Sequence, residues 1–300
     1  MKDRAERLKE VTKNVKNIES HLPLLVENKI SESALTKLRG SVTYYIWTSL
    51  INAFPDKNFI FSNNLMWDYS ELIGCLPNRT PNGLVLPKRE NFLSYHGIHQ
   101  AVVGLLETFK DEIELIHNPI NIRLVKGNSD GKDRPKASTK LHSDIWAGEF
   151  ASSLMVFLPV FGDIENIGVE FFEPPLEFYP EYVRPLRDYD EGAHFLEKST
   201  KYDCKLKNGF MYIMDPFLLH RTFKNSQEWR LSLDFRFIPK MKLESDLEVG
   251  SKRSENYITY DEWKEIGLTK LLFTDTPIDQ YDKKRESNIY AADYLMVNLK

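Results

Sequence analysis

From Trp229 to Phe237 the chain reads Trp-Arg-Leu-Ser-Leu-Asp-Phe-Arg-Phe, with apolar and polar side chains in near-strict alternation. Period two is the signature of a half-buried β-strand, because successive side chains leave opposite faces of the pleat. One face carries Leu231, Leu233, Phe235 and Phe237 for packing, and the other carries Arg230, Ser232, Asp234 and Arg236. Four more segments, residues 119–126, 152–160, 168–172 and 209–214, read as strands bounded by turn signals. Several short strands in succession predict an all-β sandwich or barrel, and a jelly roll is one such solution.

Within this β region lies His142-Ser143-Asp144, and after it His220, inside Asp215-Pro216-Phe217-Leu218-Leu219-His220-Arg221-Thr222. Two histidines and one carboxylate are the ligand set that holds non-haem Fe(II) on one face and leaves the opposite coordination positions open. Residues two apart on a strand point to the same side, so His142 and Asp144 can reach one metal without a bend in the backbone. The third ligand must come from a separate strand, and His220 follows the apolar stretch 209–214. The His-x-Asp pair alone carries little weight, since it arises often by chance. One strand later come Arg230 and Ser232. The planar fork of arginine matches a carboxylate with two parallel hydrogen bonds, and a neighbouring hydroxyl can add a third. An interior that holds metal ligands and guanidiniums together wants an anion.

The order His142-x-Asp144, His220, Arg230-x-Ser232 resembles that of the Fe(II)/2-oxoglutarate-dependent dioxygenases, over residues 118–240. The resemblance implies a mainly β fold with a double-stranded β-helix (jelly-roll, cupin-like) core flanked by helices at both ends. It implies Fe(II) on His142, Asp144 and His220, with 2-oxoglutarate as co-substrate and O2 as oxidant. Arg230 would clamp the distal carboxylate of 2-oxoglutarate with help from Ser232; Arg236, further along the strand and outside the Arg-x-Ser pattern, is the less favoured clamp. Succinate and CO2 would leave as a substrate C–H bond is hydroxylated, or as a desaturation, cyclisation or epimerisation takes its place. Halogenating members of the family replace the carboxylate ligand with a small residue, so Asp144 implies that this chain is not one of them. No catalytic residue beyond the metal ligands is implied. The string from His142 to Glu149 is also similar to a small bacterial subgroup associated with antibiotic and sugar biosynthesis. Two alternatives stay open: a metal-dependent cupin-type enzyme that does not use 2-oxoglutarate, and a non-catalytic binding protein on the same fold.

Composition fits an enzyme acting on a small molecule. The 300 residues are 42% hydrophobic and 28% charged, ordinary for a globular protein. A net charge of −4 offers no general attraction to a phosphate backbone, so nucleic acid is not an expected partner. No apolar run approaches the roughly 20 residues that span a bilayer, so no membrane association is expected. The charged start, Met1-Lys2-Asp3-Arg4, lacks the apolar stretch of a signal peptide, and Cys75 and Cys204 are too few for a disulfide framework. The expected location is the cytoplasm.

Three regions are expected: a helical segment over residues 1–117, the catalytic core over 118–240, and a helical extension over 241–300, packed as one unit. Apolar positions recur at helical spacing through Ala5, Leu8, Val11, Val15 and Ile18, and again through Leu35, Leu38, Val42, Ile46 and Leu50, the second run starting near Ser31-Glu32-Ser33. A third helix is read over 96–116, and 55–91 as loop with short extended pieces. Further helix is expected over 261–273 and after 287. Lys2, Arg4, Arg7, Lys9, Lys13 and Lys16 are interleaved with acids and read as a solvated face. Residues 174–208, rich in Pro, Tyr and charge, break the strand rhythm and read as an insertion of lid or substrate-loop type, in which Tyr179, Tyr182, Tyr189 and Tyr202 can stack on a sugar or metabolite. Trp146, Glu149 and Arg123 are the candidate substrate contacts, the first two because they follow the metal pair directly. Asp234 and Arg236 are read as a structural ion pair with neighbours. His96 and His99 share a helix face, but no partner cluster supports a second metal.

Overall fold

The alternating strand lies in the middle of a large antiparallel sheet, in a computed structural model that describes residues 1–80, 83–127, 134–243, 257–266, 270–273 and 295–298. The strands are β1 (Ile18–Leu22), β2 (Leu25–Lys29), β3 (Ile113–His117), β4 (Asn121–Lys126), β5 (Leu154–Gly162), β6 (Val169–Phe172), β7 (Phe210–Met214), β8 (Leu219–Thr222), β9 (Trp229–Pro239) and β10 (Tyr257–Thr259). The large sheet runs in the order β1-β2-β7-β5-β9-β3-β10, and β4 also pairs with β9. β4 and β3 share one edge of β9: Asn121 to Lys126 face Asp234 to Trp229, while Ile116 faces Phe237. The chain passes from β3 to β4 through the cis Asn118–Pro119 peptide. A second sheet pairs β6 with β8, and bridges from His142 to His220 and from Phe172 to Lys201 widen it.

Side-chain alternation sorts two cores. Outward residues of the large sheet, Leu231, Leu233, Phe235 and Phe237 of β9 with Leu154, Val156 and Leu158 of β5, join one hydrophobic cluster. Helices α2 (Glu32–Ala53) and α5 (Phe92–Leu106) cover that face through Leu38, Val42, Ile46, Ile98 and Val102. Inward residues, Phe157, Tyr212 and Met214, join a second cluster with Val169, Phe171 and Leu219 of the small sheet. The two sheets thus face each other across a mixed interior. Helix α2 starts where its sequence says: the Ser31 hydroxyl accepts the Ala34 N–H at 3.2 Å, a conventional N-cap.

Several segments depart from the reading of local pattern. Residues 18–29 form β1 and β2, so the region 1–117 is not only helical. These strands are short and charged, and what makes them strands is the backbone of β7, whose free edge β2 occupies from Met214 to Phe210. The helix expected over 96–116 ends at Leu106, and Ile113–His117 is β3, drawn out by pairing with β9 and β10. Ile113 and Ile116 suit a helical period as well as a strand, so spacing alone could not separate them. Residues 55–91 contain two short helices, α3 (Leu65–Asp68) and α4 (Ser70–Gly74). In the tail, helix is present at Tyr260–Lys264 of the stretch expected over 261–273, while Lys270–Phe273 and Leu295–Asn298 form an antiparallel pair; residues 267–269, 288–294 and 299–300 lie outside the described residues.

At the first helix, α1 (Lys2–Thr12), the expected solvated face holds for Lys2, Lys9, Lys13 and Lys16 but not for its two arginines. Arg4 and Arg7 are buried: Arg4 Nε lies 2.8 Å from Asp215 Oδ1 and Arg7 Nη2 lies 3.1 Å from Asp215 Oδ2. The Arg4 guanidinium also rests 3.8 Å from the centroid of the Phe217 ring. Interleaved charge concealed this, since only tertiary contact distinguishes Arg4 and Arg7 from exposed Lys2 and Lys9. Among the described residues no helix is long and apolar enough to cross a membrane.

Candidate metal centre

His142 and His220 face each other as a bridge, with backbone N–H to carbonyl distances of 2.9 and 2.8 Å. Residues directly opposite on antiparallel chains send their side chains to the same face, and the two imidazole centroids lie 4.2 Å apart. Ser143 continues extended (φ −118°, ψ 146°) and its hydroxyl donates to the Pro216 carbonyl at 2.6 Å. Asp144 then opens one turn of helix, Asp144–Ala147, closed by Gly148 at φ 92°. The expectation of a strand through both His142 and Asp144 therefore holds only as far as Ser143, yet the carboxylate returns to the same side. One donor atom from each of His142, Asp144 and His220 falls within 4.8 Å of the others.

Hydrogen bonding prepares both histidines as ligands. His142 Nδ1 lies 2.8 Å from the Lys140 carbonyl, and His220 Nδ1 lies 3.0 Å from the Leu218 carbonyl. A carbonyl only accepts, so each Nδ1 carries a proton, and Nε2 is the ring nitrogen left to bind a metal. Burial, with His220 next in effect, holds His142 well below the ordinary imidazole range and so neutral. The two oxygens of Asp144 have different surroundings: Oδ1 is 3.9 Å from His220 Nε2, and Oδ2 is 3.3 Å from Arg236 Nη2.

The three residues line a cavity of about 100 Å³ between the sheets. Its wall includes Arg230, Asp234 and Arg236 of β9, Arg123 of β4, and Phe171 and Thr222 of the small sheet. Arg230 is fully buried, donates from Nη1 to the Ile167 carbonyl at 2.9 Å, and stands 5.3 Å from the Phe157 ring. Among the described residues no carboxylate pairs with it and its Nε has no partner. Burial, then Arg123, pulls its pKa down to about 9. Ser232 is wholly buried and its hydroxyl also has no partner, though the residue is not part of the cavity wall. Orphaned donors around a buried cation are what an anionic ligand would satisfy.

The candidate substrate contacts divide. Arg123 is in the cavity wall but committed to Asp234, 3.0 Å away, a carboxylate that Asn121 also reaches at 2.9 Å. Glu149 is in the wall and 3.5 Å from Arg236 Nε. Trp146 is not: the single turn directs Asp144 and Ala147 to the cavity and the indole away, fully buried, with Nε1 donating to the Tyr182 carbonyl at 2.8 Å. The ion pairing expected of Asp234 and Arg236 is made with other segments: Asp234 meets Arg123, and Arg236 turns to Asp144 and Glu149. Tyr189 lies flat on His142, ring centroids 4.6 Å apart and planes 8° apart, so its stacking partner is a histidine of the cluster. Its stretch of the insertion is tied down by Lys140 to Asp188 at 2.8 Å and by the Tyr189 N–H to the Pro135 carbonyl at 3.0 Å. His99 is a buried core histidine, 2.7 Å from the Trp263 carbonyl, and His194 is exposed.

No family model and no curated protein matches the chain. Solved structures do. The chain is similar to the non-heme alpha ketoglutarate dependent epimerase SnoN from nogalamycin biosynthesis, at 12% identity over 77% of this chain and 82% of that one, with a TM-score of 0.40. It is similar to AviO1 from Streptomyces viridochromogenes Tue57, at 11% identity over 81% and 98%, with a TM-score of 0.44. It is similar to EctD from S. alaskensis, solved with 2-oxoglutarate and 5-hydroxyectoine, at 10% identity over 79% and 78%, with a TM-score of 0.39. Likenesses this distant transfer neither a reaction nor a ligand to this chain.

Proposed function

We propose that the protein is a non-haem Fe(II)- and 2-oxoglutarate-dependent oxygenase, that its two facing sheets form a double-stranded β-helix, and that it oxidises a C–H bond of a small molecule such as a sugar, an amino acid or a natural-product intermediate. The observation that carries this reading is the pairing of two features in one cavity: a His142, Asp144, His220 cluster with both Nε2 atoms free, and a buried Arg230 with no carboxylate partner among the described residues. Two imidazoles and one carboxylate fit a divalent metal and leave coordination positions open. Bound together, the iron, 2-oxoglutarate and O2 would supply oxidation of an unactivated C–H bond, with decarboxylation of 2-oxoglutarate to succinate.

The residues of the chain do the rest. His142, Asp144 and His220 hold the metal, the carbonyls of Lys140 and Leu218 fix the two rings, and Arg230, with the hydroxyl of Ser232 nearby in the same strand, receives the distal carboxylate of the co-substrate. Phe157, Phe171 and Met214, with Met155 and Val169, belong to the apolar part of the wall and limit water near the metal.

Anaerobic titration of the Fe(II)-loaded protein with 2-oxoglutarate tests the proposal. A weak visible charge-transfer band is expected, and it should vanish in His220→Ala. Folded, iron-replete protein that develops no band would replace this reading with that of a metal enzyme working without 2-oxoglutarate.

A further inference from the structure

Asp144 has two oxygens and the protein treats them differently. Oδ1 faces the imidazole of His220, within the cluster of donors, while Oδ2 is turned to Arg236 Nη2 at 3.3 Å. The same guanidinium sends Nε toward Glu149 Oε2, 3.5 Å away, so one edge of the arginine spans two carboxylates. Both acids and the arginine are buried. Glu149 lies in the cavity wall only five positions after Asp144, yet it is not one of the three donors that converge.

We propose that Arg236 is a positioning residue that holds Asp144 as a one-oxygen ligand and keeps Glu149 off the metal. The inference rests on the reading that the cluster binds a divalent metal. A carboxylate bound through both oxygens would take two coordination positions. With Oδ2 engaged by Arg236, Asp144 would offer one, leaving more positions for other ligands. The arginine also neutralises a second buried acid that would otherwise compete for the ion. Ligating carboxylates are commonly held by such hydrogen bonds, and the planar fork is what allows one side chain to serve two acids at once. A lysine supplies the charge but not the span.

The test is titration with Co(II), whose visible spectrum reports coordination number, on wild type, His220→Ala, Arg236→Met and Arg236→Lys, each checked for folding by circular dichroism. Wild type should bind one Co(II), and His220→Ala should lose it. Arg236→Met should bind about 10–100-fold more weakly with an altered visible spectrum, and Arg236→Lys should recover part of the affinity but not the spectrum. Should Arg236→Met fail to fold, Arg236→Lys carries the test, since the buried charge is kept. Folded Arg236 variants with wild-type affinity and spectrum overturn the inference alone. A wild type that takes no Co(II) overturns the metal reading, and the inference with it.

Discussion

Arg230 is a cation placed in the interior with a backbone carbonyl and an aromatic face for company. Burial, then the neighbouring Arg123, lowers its pKa to about 9 against the opposing pull of Asp234, which still leaves it protonated at neutral pH. Two effects of Arg230→Met follow, with opposite signs. Truncating one side of a buried charged pair costs roughly 2 kcal/mol or more, about 30-fold in affinity, so 2-oxoglutarate binding by the Fe(II) protein should weaken at least that much. Replacing a buried charge that makes no direct ion pair with an apolar side chain of similar length is neutral or stabilising, so the metal-free protein should melt no lower than wild type. Calorimetric titration and a thermal melt read the two separately. Unchanged 2-oxoglutarate affinity would move the clamp to another cation of the wall. That Arg230 faces the cavity was legible in the alternation of its strand; that Arg236 turns to the Asp144 carboxylate was not, because the partner lies far away in sequence.

The insertion is the element whose role local pattern conceals most. Its tyrosines signalled stacking, but Tyr189 stacks on His142 and Tyr182 hydrogen-bonds the Phe217 carbonyl at 2.5 Å. The 3-10 segment Tyr189–Lys198 opens with a capping box in which Asp188 and Glu191 satisfy each other's backbone. It closes over Trp146 at Gly192, where an added Cβ would stand 2.4 Å from the indole ring. Trp146 is fully buried and cannot retreat, so Gly192→Ala should lift the segment from the core, costing about 1–3 kcal/mol. Limited proteolysis is the measurement: cleavage within 184–198 should become faster than in wild type, and an unchanged digest would show that the insertion is not seated on Trp146. The short strands β1 and β2 teach the same lesson as the insertion, since β2 hydrogen-bonds to β7 and β1 to β2, and their own spacing carries little signal.

Across the whole molecule, Asp215 joins the beginning of the chain to the turn that presents His220. It takes Arg4 and Arg7 from α1 and accepts the Phe217 N–H at 3.0 Å. Removing one partner from a buried ion cluster leaves charge uncompensated, so Asp215→Ala should destabilise by about 3–5 kcal/mol, read as a lower midpoint in urea. A loss below 1 kcal/mol would mean that the arginines find other anions. What the sequence determined by itself was whatever depends on near neighbours: the two-faced strand Trp229–Phe237, the helix capped at Ser31, and the order of His142, Asp144, His220 and Arg230. Periodicity records which face of an element is apolar, and that is enough to predict a sheet with a polar interior. Only the tertiary structure decided that residues 18–29 and 113–117 would be strands, that Trp146 would point away from the cavity, and that Arg4, Arg7 and Arg236 would be buried against carboxylates. Backbone edges and buried charges are satisfied by whichever distant group the packing brings near, and no local spacing encodes that partner.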